Sequence, residues 1–286
     1  MKRKGNNRVN NVVLVADTHS GCATALIHPD GVKLDDGGMY RPSHVQHKMW
    51  DWWMEFWEWV REKTHDEPID TVHLGDPLQG KPHDVIHNIS DNIDVQMRIA
   101  HDVLAVPRAM SRKMYFVRGT EAHGGKSLQH EEALARELDA EPDQEGRFTR
   151  YVLWKLMGRT PEGFLLNCMH HIGTTGSSHY EATAVLKELT EAYNEAGRWR
   201  ERAPDCVARA HRHRHIKVEV PVCEPWCLGI ALTVPGWQGM TPYAAKIPGA
   251  RQTTPQFGGV LIREAPDGAW YATAWTRSIK RGRPEE

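Results

Sequence analysis

Five short apolar runs, each ending at a small polar segment, constrain this chain more than any other feature. They cover residues 12–16, 69–74, 114–117, 164–169 and 207–210. The first is continuous and rich in β-branched residues, with no polar residue alternating as in a half-exposed strand. Runs of this kind are expected of strands buried on both faces, as in a sheet covered by helices. Segments with helical spacing lie between them: 43–63, 93–110, 127–138 and 180–202. Ser43 is placed to cap the first, and Pro107 is expected to bend or interrupt the second. Residues 151–157 and 164–169 predict a hairpin across Gly158-Arg159-Thr160-Pro161. From residue 216 onward the pattern is mostly strand (216–220, 228–234, 259–263 and 270–275), with a Pro266-Asp267-Gly268 turn joining the last two. Strands alternating with helices, followed by strands, predict an α/β sandwich carrying a mixed sheet. A chain of 286 residues without repeat, low-complexity tract or linker is expected to form one domain over 1–286.

The segment 43–63 is unusually aromatic. Val45, Met49, Trp52, Trp53, Phe56 and Val60 recur on one helical face, and Trp50, Trp57 and Trp59 widen it. Packing against the sheet accounts for such a stripe, while a face for a protein partner or for self-association is the sharper alternative. Charge gives little direction: 36 Lys+Arg against 37 Asp+Glu leave a net charge of -1, which carries no global nucleic-acid or membrane signature. A local basic groove remains open. The basic start of the chain meets only a five-residue apolar run (12–16), too short for a signal peptide, and nothing approaches the ~20 apolar residues of a membrane span. Cys22, Cys168, Cys206, Cys223 and Cys227 form an odd, scattered set, as expected of reduced thiols in a cytoplasmic protein.

The polar segments that close the apolar runs are Asp17-Thr18-His19, Gly75-Asp76, Gly119-Thr120-Glu121-Ala122-His123, His170-His171 and His211-Arg212-His213. Side chains just beyond the carboxyl ends of strands converge on a shared crevice in α/β sheets. Carboxylate oxygen and imidazole nitrogen, without thiolate, suit hard or borderline divalent cations. In a chain with 17 histidines, any one of these pieces arises easily by chance. Five of them in one order, each after an apolar run, do not.

The series Asp17-x-His19, Gly75-Asp76, Gly119-Thr120-Glu121-x-His123, His170/His171 and Ala210-His211-x-His213 resembles the calcineurin-like metallophosphoesterases, whose pattern reads D-x-H, G-D-x-x-D/G, G-N-H-D/E, H, G-H-x-H. The resemblance spans about residues 12–215 and is nearest to members found in bacteriophage genomes. It leaves 216–276 as a β-rich C-terminal part of the same domain. It implies a sandwich of two mixed β-sheets flanked by helices around two divalent metal ions, with Mn first and Fe, Zn or Ni as alternatives. By the same resemblance Asp17, His19 and His213 would bind the first ion and Asp76 would bridge both. His211 and one of His170 and His171 would bind the second. His213-x-His215 is a competing pair. Gln79 stands where many members carry a second Asp, and Ala210 replaces a Gly. The Asn-His of the family is replaced by Thr120-Glu121-Ala122-His123, so either Thr120 or Glu121 would supply the oxygen ligand. Glu121 is favoured for its charge, with His123 left to act on the leaving group.

The activity the resemblance implies is hydrolysis of a phosphate ester by hydroxide held between two cations, on a phosphodiester or nucleic acid first. A phosphomonoesterase acting on a nucleotide or phosphoprotein is the second reading. A non-catalytic, metal-stabilised module that binds a partner through the Trp-rich helix is the third. Arg118 and Arg212 are candidate phosphate contacts, with Lys81, Lys126 and Arg214 also near the motifs.

Overall fold

The computed structural model describes residues 8–81, 87–173, 178–223, 227–242, 244–246 and 254–279. In chain order, strand β1 (Asn11–Val15) is followed by a small ribbon of β2 (Val32–Lys33) and β3 (Met39–Tyr40), then helix α1 (His44–Thr64) and strand β4 (Ile69–His73). Helix α2 (Ile93–Met110), strand β5 (Ser111–Val117), the single turn α3 (Glu121–Gly124) and helix α4 (Gln129–Glu137) come next. Strands β6 (Thr149–Arg150), β7 (Leu153–Met157) and β8 (Phe164–Cys168) precede helix α5 (Glu181–Trp199). The chain ends with β9 (Cys206–Arg209), β10 (Ile216–Cys223), β11 (Cys227–Thr233), β12 (Phe257–Glu264) and β13 (Trp270–Arg277).

Two mixed sheets form from these strands, in the orders β13-β12-β1-β4-β5-β6 and β10-β11-β9-β8-β7. In the first, β1, β4, β5 and β6 run parallel, while β12 adds antiparallel to β1. In the second, β8, β9 and β11 are parallel, and the expected hairpin of β7 and β8 is present. The continuous apolar runs are explained by burial on both faces. Val12 and Leu14 of β1, with Val72 and Leu74, face Leu166, Ala208 and Leu232 of the other sheet. Val13 and Val15 point the opposite way, onto the layer of α1, α2 and α4. Helix α5 covers the outer face of the second sheet through Val185 and Leu189 against Val207 and Ala231. The architecture is therefore α/β, a two-sheet sandwich flanked by helices.

Helix α1 is fixed at its start by a capping box in which Ser43 and Gln46 bond each other's backbone N–H. Its Trp53 and Trp57 are buried, and Trp50, Trp52 and Trp59 pack half-buried onto the same core. The aromatic stripe is thus core, and the large apolar side chains the helix leaves exposed are Val45 and Met54. Helix α2 has the expected bounds and runs through Pro107 without interruption, and the Ser111 hydroxyl donates to the Pro107 carbonyl at 2.6 Å. One boundary differs from the sequence reading. Helix α4 starts at Gln129 rather than 127 because Ser127 and Leu128 adopt left-handed backbone (φ 61° and 55°). No helix among the described residues is long and apolar enough to cross a membrane.

Candidate metal centre

The carboxyl ends of β1, β4, β5, β8 and β9 deliver Asp17, Asp76, Thr120, His170 and His211 to one crevice. Three donor groups form there: Asp17, His19 and His213; His19, Asp76 and His123; and Asp76, His170 and His211. Within each, one ligand-type atom per residue lies within 4.8 Å of the others. His19 and Asp76 each belong to two groups, so the three fuse into one elongated cluster.

The backbone is bent to achieve this. Asp17, His19, Asp76, His211 and His213 all have left-handed φ, between 42° and 72°. Such conformations cost a non-glycine residue free energy and persist only where the surroundings impose them. Two glycines make the approach possible. A Cβ on Gly75 would lie 2.6 Å from His170 Nδ1, and one on Gly119 would lie 2.1 Å from Asp76 Oδ1.

Backbone carbonyls aim the imidazoles. His170 Nδ1 bonds the Leu74 carbonyl at 2.6 Å, His123 Nδ1 the Gln79 carbonyl at 2.6 Å, and His213 Nδ1 lies 3.5 Å from that of Gln238. Each ring then turns its Nε2 toward the crevice, the usual support of a metal-ligating histidine. His19 Nε2 and His213 Nε2 are 3.3 Å apart, and Asp17 Oδ1 lies 3.8 and 3.4 Å from them. On the other side His170 Nε2 is 3.2 Å from Asp76 Oδ2 and 3.3 Å from His211 Nδ1. Asp17 Oδ1 and His19 Nδ1 are buried without a hydrogen-bond partner. A buried carboxylate oxygen left unpaired among converging nitrogens fits a cation.

Charge follows the same geometry. Burial by itself would raise the Asp17 carboxyl, but His213 and His19 hold it well below the usual carboxylate range. Asp76 is likewise held down against its burial, by His170 and then His123. Burial opposes protonation of His170, yet the Asp76 charge and hydrogen bond push it up to about 10. His19 falls to about 3 through burial and the neighbouring His123, and His211 to about 4 through burial and His170. Two ionised carboxylates, with His19 and His211 resisting protonation, make a site that attracts cations.

Not every expected residue joins the cluster. Glu121 is exposed at the first position of α3 and belongs to none of the three groups. Its neighbour Thr120 faces the site instead, donating its N–H to Asp76 Oδ1 at 2.6 Å and its hydroxyl to the same carboxylate at 3.1 Å. The charge argument that favoured Glu121 fails because the chain turns into a helix there, and its first residue points to solvent. His171 is exposed and stacks near His170 and His211 without entering a group. His215 turns away to the Thr233 carbonyl at 2.8 Å. Arg118 lies over the Tyr151 ring at 4.7 Å and donates to Thr149, while Arg212 donates to the Gly173 carbonyl. Lys81 lies 3.9 Å from Asp91 and Arg214 pairs with Glu181 at 3.1 Å, and the Lys126 side chain is outside the described residues.

Several supporting residues escaped the sequence reading. Glu131 on α4 is buried, accepts the Gly119 N–H at 3.0 Å, and is pushed up to about 8 by burial and the Asp76 charge. Its helical register with Leu128, Leu134 and Ala135, all buried, was a usable signal. His73 is buried behind Asp17 and pairs with the Thr18 hydroxyl at 3.2 Å. Gln79 aims His123 through its carbonyl and is held by its side chain to Gln238 at 2.8 Å.

No protein-family model and no curated protein matches the sequence. Among solved structures, the chain is similar to Vps29 of Chaetomium thermophilum, at 11% identity over 96% of this chain and 99% of that one, with a TM-score of 0.35. It is also similar to protein TM1076 of Thermotoga maritima, at 11% identity over 95% and 100%, with a TM-score of 0.33. A third is the sulfate thiohydrolase SoxB of Thermus thermophilus in complex with glycerol, at 11% identity over 94% of this chain and 56% of that one, with a TM-score of 0.37. These are remote likenesses, and the chemistry of the site rests on its own residues.

Proposed function

We propose that the chain is a metal-dependent phosphate-ester hydrolase with two cation positions sharing Asp76. The observation that carries this reading is the fusion of three donor groups through Asp76 and His19 at the ends of parallel strands. Asp17, His19 and His213 would hold one divalent cation, His170 and His211 the other, and Asp76 would be shared between them. Manganese is the first candidate by the resemblance, and iron, zinc or nickel, which an imidazole-rich donor set suits, are the alternatives. Such cations supply positive charge for phosphate oxygens and lower the pKa of water toward ~7. Thr120, rather than Glu121, keeps the Asp76 carboxylate oriented, through both its N–H and its hydroxyl.

His123 is the residue we assign to proton transfer. Its Nδ1 is tied to the Gln79 carbonyl, and its ring lies 4.4 Å from that of His19 at the edge of the cluster. As an imidazolium it can pass the Nε2 proton to a leaving alkoxide, a step worth ~10²–10⁴ in rate. Arg212, one residue from each of two donors, is the side chain we assign to phosphate contact.

Turnover of a nitrophenyl phosphodiester and of the corresponding monoester, with Mn²⁺ and with chelator, tests the proposal. Hydrolysis that disappears with chelator and returns with Mn²⁺ is the expected result, the diester reacting faster. Metal bound without turnover of either ester would remove the hydrolase reading and leave a metal-stabilised module.

A further inference from the structure

A second concentration of charge lies at the opposite end of the strands. The two sheets part where β5 and β6 border one and β7 borders the other, leaving an open cavity of about 290 Å³. It lies beside Asp70, Arg112 and Lys113, near the starts of β4 and β5, whereas Asp76 and Thr120 follow the ends of those strands. Between the sheets elsewhere the core is Val, Leu and Ala. Here it gives way to cations.

Part of that charge is structural. Asp70 is buried, and Arg112 grips its carboxylate with two bonds of 3.0 Å while Lys155 donates to it at 2.7 Å. A buried carboxylate needs such partners, and these two suffice. The remaining cations exceed that need. Lys113 is paired with Glu141 at 2.7 Å near the surface. Arg150 lies over the Tyr115 ring at 5.4 Å and donates to the Glu141 backbone carbonyl, and its Nε is buried with no partner. Among the described residues, Arg8 donates to the carbonyls of Thr160 and Pro161, each at 3.1 Å. Among the described residues, no carboxylate lies within ion-pair distance of Arg8 or Arg150. Five cations thus line the cavity, and Asp70 and Glu141 are paired with three of them. Beside them the Trp154 ring is 55% exposed.

An excess of cations around a concavity favours a multiply charged anion over a single carboxylate, and guanidinium forks match phosphate geometry. An exposed indole beside them offers a face on which a base can stack. We propose that this cavity binds a phosphate group carried by a nucleotide or a nucleic-acid strand, with Arg150 and Lys113 on the phosphate and Trp154 against the base. The site is independent of the Asp/His cluster and of the activity proposed for it.

The test is fluorescence anisotropy of the full chain with a labelled oligo(dT) of about ten nucleotides, competed by inorganic pyrophosphate. Chelator is present throughout, so that cation-mediated phosphate binding at the Asp/His cluster does not contribute. Lys113→Gln and Arg150→Gln should each weaken both probes by roughly tenfold, the loss of a charge-assisted bond, and should lower the salt dependence of binding. Trp154→Ala should weaken the oligonucleotide by about fivefold or more and leave pyrophosphate unchanged. Pyrophosphate bound without the oligonucleotide, read by titration calorimetry, assigns the cavity to a free nucleotide or phosphate, and oligonucleotide binding that depends on Trp154 assigns it to a strand. Failure of both probes at millimolar concentration overturns the proposal. So does binding that is unaltered in Lys113→Gln and Trp154→Ala proteins that melt like the parent.

Discussion

Glu131→Gln tests the electrostatics of the crevice in a way that a merely packed helix would not explain. Glu131 is buried against the Gly119 backbone, and burial and the Asp76 charge raise its carboxyl from 4.5 to about 8. Across that window the unfolded chain has an ionised Glu131 while the folded chain keeps it protonated. The folded state therefore binds the additional proton, and this group's contribution to stability falls as pH rises from 4.5 to 8. At ~1.4 kcal/mol per pH unit the full loss has a ceiling of ~5 kcal/mol, and ~3 kcal/mol of it is incurred by pH 7. Glutamine retains a carbonyl oxygen for the Gly119 N–H and never ionises. Urea unfolding of parent and variant in chelator should thus show equal stability near pH 4.5 and an advantage of ~3 kcal/mol for Glu131→Gln near pH 7. Asp17, Asp76 and His170 titrate in both proteins and cancel to first order in the difference. A difference that is flat with pH, or that grows toward acid, would refute the reasoning.

Other substitutions separate the roles within the site. Asp76→Asn should lower the metal content measured by elemental analysis at both positions, because the carboxylate assigned to both cations loses its charge. Thr120→Ala should weaken cation binding by ~1 kcal/mol, the value of one ordinary hydrogen bond, since its N–H still reaches Asp76. Glu121→Ala should change cation affinity by less than ~0.5 kcal/mol, as for a surface residue, and titration calorimetry compares the two directly. Gly75→Ala should lower the melting temperature sharply: its φ of 93° and a Cβ 2.6 Å from His170 Nδ1 combine strain with overlap, and melting like the parent would count against the packing described for that turn.

Much of the fold was readable because its strands are short and buried on both faces. The run over residues 12–16 must be uniformly apolar when Val12 and Leu14 face one layer and Val13 and Val15 another. Positions set by long-range pairing were not readable. Nothing local in Phe257–Glu264 says that it adds antiparallel to β1 at the middle of the first sheet, far from its neighbours β10 and β11 in sequence. The two-residue strand Thr149–Arg150 is too short for any periodicity, yet it closes the sheet edge beside β5.

The site divides along the same line, and Thr120 and Glu121 show why. Residue type favours Glu121, because a carboxylate is the stronger ligand for a hard cation. Geometry favours Thr120, because the chain enters α3 at Glu121 and the residue before a helix still has extended backbone, φ −91° and ψ 146°. From there its N–H and hydroxyl both turn back to Asp76. Glu121, at the helix start, gains from the partial positive charge of the terminus without reaching the crevice. Sequence therefore identifies the strands that feed the cluster and the kinds of donor they carry. The choice between adjacent residues is made by backbone angles, and in this site those angles are unusual. Five donors in left-handed conformations cannot be inferred from neighbouring residue types, since positive φ is uncommon for non-glycine residues even though Asp and His are enriched there. Their concentration in one crevice is what a site imposing its geometry on the backbone requires.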